Sequence, residues 1–271
     1  MTMGKRDFYA SSEPMPLDQA DGLRRLFGGA RARRFIPLVA NPHVAFSSVV
    51  IERLTAAFGA AGRHTLVVDA ADNSPAPSEL SRVDLAAAIE PLGPDVSYLA
   101  ARGLPLAYVD TRGSASGLLD ALADAAPQAD VVLVHASASD LARVFQRRAA
   151  RPVIVGADHP ESIKHAYAAV KLLAQRCTLM TFDLLLAADP HSPRLPHIAA
   201  SLSGCADGFL GSLLNQWAVI DPAGALNAEP GAALQRLVRA QLDLETAAGR
   251  GHAPGAATPP TPMAARHERT A

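Results

Sequence analysis

The sequence predicts an α/β protein, with three α/β/α layers around a mostly parallel sheet. Two patterns carry this expectation. Apolar runs of strand length alternate along the chain with longer runs of helical spacing. The strand-like runs are apolar throughout rather than at every second residue, which marks strands covered on both faces. At 271 residues, 49% of them apolar, the chain is long enough for one substantial domain with a buried core.

Residues 1–16 are polar, carry Pro14 and Pro16, and read as a flexible leader. In 17–27 the residues Leu17, Ala20, Leu23, Leu26 and Phe27 recur at helical spacing, and Gly28 and Gly29 stop the helix. Arg24, Arg25, Arg31, Arg33 and Arg34 make this region locally basic. The α/β domain is expected over 34–248. RFIPLVA opens it as a strand, and a helix follows from about 47 to 61. HTLVVDA, 64–70, leads through a proline-rich loop to a helix near 78–90. DVSYLAA and LPLAYVD read as short extended pieces, and 114–126 as a helix. Strands at 129–137 and 151–158 precede helices at 138–149 and 160–175. CTLMTFDLLL, 177–186, and QWAVIDP, 216–222, are the last strand-like runs, and 231–247 is the last helix. The tail 249–271 is rich in Ala, Pro and Gly, a composition that predicts disorder.

Composition excludes several classes. A formal charge of -1 gives no reason to expect a nucleic-acid partner. Cys177 and Cys205 are too few for a disulfide framework and suit a reducing compartment. No apolar run reaches the length of a membrane span, and the first residues lack a signal-peptide core. A cytoplasmic location is the expectation.

Ligands of open α/β sheets bind beyond the C-terminal strand ends. Four such junctions carry polar residues: 41–48, 69–73, 135–139 and 158–162. Each also reads as turn and helix-cap chemistry. The junction Asn41-Pro42-His43-Val44-Ala45-Phe46-Ser47-Ser48 sits where a phosphate loop would be. A phosphate cradle needs inward backbone N–H groups, glycines for a tight path and a lysine. This one has no glycine and no lysine, and Pro42 removes an N–H. Ser47 and Ser48 are its only hydroxyls. Asp69 ends a strong strand, with Asp72 three residues on. These would be the carboxylates for Mg²⁺, whereas His135, ending another strand, is a poor Mg²⁺ ligand. His43, His135 and His159 match no compact zinc spacing, and no GxSxG elbow is present. In 157–176, Pro160 and Glu161 suit a helix start, and Ile163, Tyr167, Val170 and Leu173 form a core-facing stripe. In 231–247, Leu234, Leu237, Val238 and Leu242 share one side, either to pack on the domain or to lie on a membrane surface.

Three stretches resemble one family. DQADGLRRLF, 18–27, resembles the DQAxxLR motif that opens the flagellar-number regulators called FlhG or FleN. HPESIKHAYAAVKLLAQR, 159–176, is similar to that family's PExTAxxDAYxxxKLL segment, and GFLGSLLNQWAVID, 208–221, to its late FLG segment. The resemblance spans about 17–245. It implies a MinD/ParA-like, SIMIBI-type P-loop NTPase fold, ATP-dependent homodimerisation and a C-terminal amphipathic membrane helix, here 231–247. It further implies a place in the cytoplasm or peripherally at the inner membrane or flagellar pole. The implied partner is FlhF, a GTPase of the signal-recognition type, activated through the N-terminal motif. Gln19 would complete that partner's active site, with Asp18, Ala20, Leu23, Arg24 and Phe27 at the other motif places.

Carrying the family's site over exposes departures. Its phosphate-loop glycines fall on Asn41, His43, Val44 and Phe46. Its two lysines fall on Pro42 and Ser47, and only the following hydroxyl survives, as Ser48. Of the DxD pair Asp69 is kept, the second place is Ala71, and Asp72 is displaced by one. The Walker-B aspartate falls on His135, and the aspartate of DAY on His165. The expectation is a nucleotide-free pseudo-ATPase that keeps the fold and the partner-activating helix, with no cofactor. An active ATPase with an unusual Mg-ATP site, an accessory protein of another system such as cellulose secretion, and a scaffold are the alternatives.

Overall fold

The computed structural model describes residues 33–248, apart from 147, 226 and 227. The leader, the helix expected at 17–27 with Asp18, Gln19, Ala20, Leu23, Arg24 and Phe27, and the tail lie outside the described residues. The chain runs β1 (Arg34–Val39), α1 (Ser47–Ala60), β2 (Thr65–Asp69), a 3-10 turn (Glu79–Arg82), β3 (Glu90–Pro91), β4 (Val96–Ala100), α2 (Leu104–Ala107), α3 (Gly117–Ala125), β5 (Val131–Ala136), α4 (Ala138–Val144), β6 (Val153–Ala157), α5 (Pro160–Cys177), β7 (Thr181–Ala187), α6 (Leu195–Leu210), β8 (Leu213–Ile220) and α7 (Ala232–Ala248).

The strands form one sheet in the order β3-β4-β2-β5-β1-β6-β7-β8. All pairings are parallel except the short β3 edge on β4. Successive strand residues point to opposite faces. Leu66, Val68, Val132 and Val134 pack under α2 to α6. Ile36, Leu38, Val131 and Leu133 pack under α1 and α7. This is the expected three-layer sandwich. β1 is central, and the helices leaving β1 and β5 lie on opposite faces, so the chain opens a crevice at their C-terminal ends.

Three local expectations are corrected. The helix near 78–90 is a 3-10 turn followed by turns. Asp84 folds its carboxylate back onto the amides of Ala86 and Ala87 at 2.9 and 3.2 Å, which competes with helix propagation. Leu80 and Val83 stay exposed, so no buried stripe rewards a helix there. LPLAYVD begins with the helical turn α2, started by Gly103 at φ 75° with Pro105 in the first turn. The helix α6 was not anticipated. Gly204, Gly208, Ser201 and Ser203 depress its propensity, yet Leu195, Ala199, Leu202 and Ala206 recur on one face and are buried.

α7 uses its apolar stripe on the domain. Leu234, Leu237 and Val238 are buried beside α1 residues. Beneath it Asp183, wholly buried, accepts from Arg151 Nε at 3.1 Å, Gln241 Nε2 at 2.8 Å and Asn215 Nδ2 at 2.9 Å. Arg34 donates to the Gln241 carbonyl at 2.6 Å. No helix among the described residues is long and apolar enough to cross a membrane.

Candidate functional site

The junction after β1 is a closed turn. The Asn41 side chain is buried, and its Nδ2 reaches the carbonyl of Val155 at 2.9 Å and the carbonyl and hydroxyl of Ser162 at 3.0 Å each. Its Oδ1 accepts the His43 amide at 3.1 Å, and its carbonyl accepts the Val44 amide at 3.0 Å. Val44 is buried beneath. His159, which caps α5, sends Nε2 to the His43 carbonyl at 2.7 Å. The amides of His43 and Val44 are therefore committed within the turn, and Pro42 has none. Phe46 precedes α1 with φ 61° and ψ 37°, the left-handed region. Bulky residues rarely adopt it. Its ring is 67% exposed.

Strand pairing builds the second part. Asp69 and His135 are register partners on β2 and β5, and both point toward the α1 face. His135 Nδ1 lies 2.7 Å from Asp69 Oδ1. Ser74 also donates to that oxygen, and the Tyr98 hydroxyl donates to Oδ2 at 3.2 Å. Burial pulls the Asp69 carboxyl upward, but the bonds from His135 and Ser74, the proximity of His135 and the bond from Tyr98 outweigh it and hold it below its ordinary value. Burial and the neighbouring carboxylate push the Tyr98 phenol well up. An ionised Asp69 only accepts, so Nδ1 carries the proton. His135 also lines the adjacent groove.

That groove, about 740 Å³, lies over the α1 face of β2 and β4. Ser47, Ser48, Asp69 and His135 all line it, so four expected residues converge. Asp72 is exposed and does not line it, and Asn73 and Ser74 take its place. Asn41 is a buried turn anchor, Pro42 is exposed, and His43 lines a separate cleft of about 430 Å³ with Phe46, Asp189 and Asp221. His43 and His159 stand edge to face with ring centres 6.4 Å apart, and both His159 nitrogens are engaged. Tyr98, Ser74 and Glu52 were not singled out from sequence. Tyr98 had a signal, since Leu99 beside it faces the core and Tyr98 must face the other way.

Mg-ATP, which the fold implies, does not suit these residues. Two loop amides are committed, Pro42 offers none, and neither hollow is lined by lysine or arginine. Asp69 already takes three donors, leaving little for a cation.

The fold and its crevice define a class, the MinD/ParA-like form of the P-loop NTPase architecture. Solved structures bear this out. The chain is similar to the cell-division protein MinD of Aquifex aeolicus, at 12% identity and TM-score 0.51, covering 79% of this chain and 97% of that one. It is similar to cobyrinic acid a,c-diamide synthase of Mycobacterium smegmatis, at 18% and 0.54, covering 80% and 96%. It is also similar to a protein described as a plasmid partition protein from Borrelia burgdorferi B31, bound to AMPPNP, at 8% and 0.56, covering 79% and 99%. At these identities the likeness is one of fold. No protein-family model matches the chain, and no curated protein matches it by sequence.

Proposed function

We propose that this protein is a nucleotide-free regulator on a MinD/ParA-like frame, a pseudo-ATPase that acts by contact with a partner. The single observation that carries this reading is the Asp69–His135 pair. It occupies the two strand ends where a phosphoryl-transfer site would set carboxylates for Mg²⁺. An imidazole bonded to the remaining carboxylate replaces metal-binding capacity with an internal hydrogen bond. The partner we propose is a flagellar GTPase of the signal-recognition type, FlhF, met through Asp18, Gln19, Ala20, Leu23, Arg24 and Phe27. This rests on the sequence of that segment. Gln19 would orient the partner's attacking water, as positioning residues do in GTPases. The role is control of flagellar assembly and number.

The test is GTP hydrolysis by the purified partner with the full chain added. The expected outcome is a stimulated rate that Gln19→Ala abolishes. Equal stimulation by the variant, or none by either, would sink the proposal.

A further inference from the structure

The two edges of the sheet differ in chemistry. β3 is only Glu90 and Pro91, both exposed. A charge and a proline on so short a strand leave little for another chain to pair with. β8 closes the other side with eight residues, Leu213–Ile220, and pairs with β7 alone. Its sequence, LLNQWAVI, has no charge and no proline, the devices that protect an open edge. Ala188 N–H donates to the Ile220 carbonyl at 3.1 Å, so Ile220 turns its backbone toward β7. Alternation along the strand then turns the backbone groups of Trp217 and Val219 to the open side. Among the described residues no backbone group bonds to that side.

Apolar surface continues past both ends of the strand. Phe209, 80% exposed, Leu213, 58% exposed, and Met180 stand at its N-terminal end, where Leu213 N–H donates to the Met180 carbonyl at 2.7 Å. Pro222 and Ala223 follow its C-terminal end, and Asp221 between folds its carboxylate back onto the Ala223 amide at 2.9 Å. A second copy turned about a two-fold axis lays its β8 antiparallel to the first. The Leu213 end of each then meets the Pro222 end of the other, and no like charges face along the strands. Eight residues span about 27 Å, and three layers of about 10 Å each stand about 30 Å tall. The side wall along β8 is therefore roughly 800 Å², the area that each partner gives to a stable pair.

We propose that β8 is the interface between two copies of this chain, paired edge to edge into one continuous sheet. Because β3 is blunted, pairing stops at two copies instead of running on into a fibre. Such a dimer needs no nucleotide. Its contact lies three strands away from the β1–α1 junction, unlike the ATP-dependent dimer that the family resemblance implies. The proposal does not rest on the function proposed above.

Sedimentation of the full chain without nucleotide tests this, with Leu213→Lys and Val219→Pro as variants. The lysine sets a charge against the partner strand, and the proline removes an outward N–H that bonds nothing among the described residues. The native chain is expected to dimerise as its concentration rises, and each variant to raise the dissociation constant about tenfold or more. Hydrogen exchange locates the contact. Protection of the Trp217 and Val219 amides should grow with concentration while β5 amides stay unchanged. A native chain that remains monomeric at its highest soluble concentration would overturn the proposal. So would a dimer that both variants keep, or one that forms only with Mg-ATP. If thermal unfolding shows Val219→Pro to be misfolded, Leu213→Lys and the exchange pattern decide.

Discussion

Phe46 keeps a backbone path that glycine takes freely. Its φ of 61° costs an L-residue roughly 1–2 kcal/mol, and its exposed ring recovers little by burial. Phe46→Gly would remove that strain and return roughly 0.5–1 kcal/mol through the freer unfolded chain. A small rise in the urea midpoint is the expected outcome, with none for Phe46→Ala, which keeps the strain. A lower midpoint for the glycine variant would mean that the ring contributes binding energy to the fold. Asp69 makes a pH-dependent prediction. Its folded carboxyl titrates below the ordinary 3.8, so its stabilisation is complete above that value and is lost as pH falls through the lower folded one. Asp69→Ala is expected to cost about 2 kcal/mol at neutral pH, and the gap from the native protein should narrow below pH 3.8. Denaturation curves at both pH values check this. A constant gap would remove the ionised carboxylate from the account.

Helix α7 is anchored through an underside that is polar as well as apolar. Asp183 and Arg151 form a buried pair, completed by Gln241 and Asn215. Removing one member leaves a charge without its counterpart in low dielectric, so Asp183→Ala should cost about 3–5 kcal/mol. Replacing both partners with apolar residues, Asp183→Leu with Arg151→Met, should cost less than the single change. Thermal unfolding of the three variants decides, and a double variant worse than Asp183→Ala would refute it. The apolar stripe of α7 was visible in the sequence, but not its use. Leu234, Leu237 and Val238 suit either a domain face or a lipid surface, and the position of α1 and β8 beside the helix settles where they are buried. Helix α6 shows the opposite case. No element was expected there; its glycines and serines lower helix propensity, and burial of Leu195, Ala199, Leu202 and Ala206 offsets that.

At the scale of the whole molecule, the crevice at the C-terminal strand ends survives while its phosphate chemistry is absent. A ligand that binds only the folded state raises its stability, by about 2.7 kcal/mol at a hundredfold excess over Kd. Millimolar Mg-ATP is therefore expected to leave the melting temperature unchanged. A rise of several degrees would overturn the pseudo-ATPase reading.

The sequence by itself determined the three-layer class, because continuous apolar runs alternating with helical stripes admit few other ways to bury both faces of a sheet. It also determined what the β1–α1 junction lacks, since an absent lysine and a missing N–H are matters of composition. Only the tertiary structure decided what stands there instead. Asn41 reaches Ser162, 121 residues away, and Asp69 meets His135, 66 residues away. These contacts depend on strand order and register, which local periodicity does not encode; the first closes the β1–α1 turn, and the second sets Asp69 and His135 side by side in one groove.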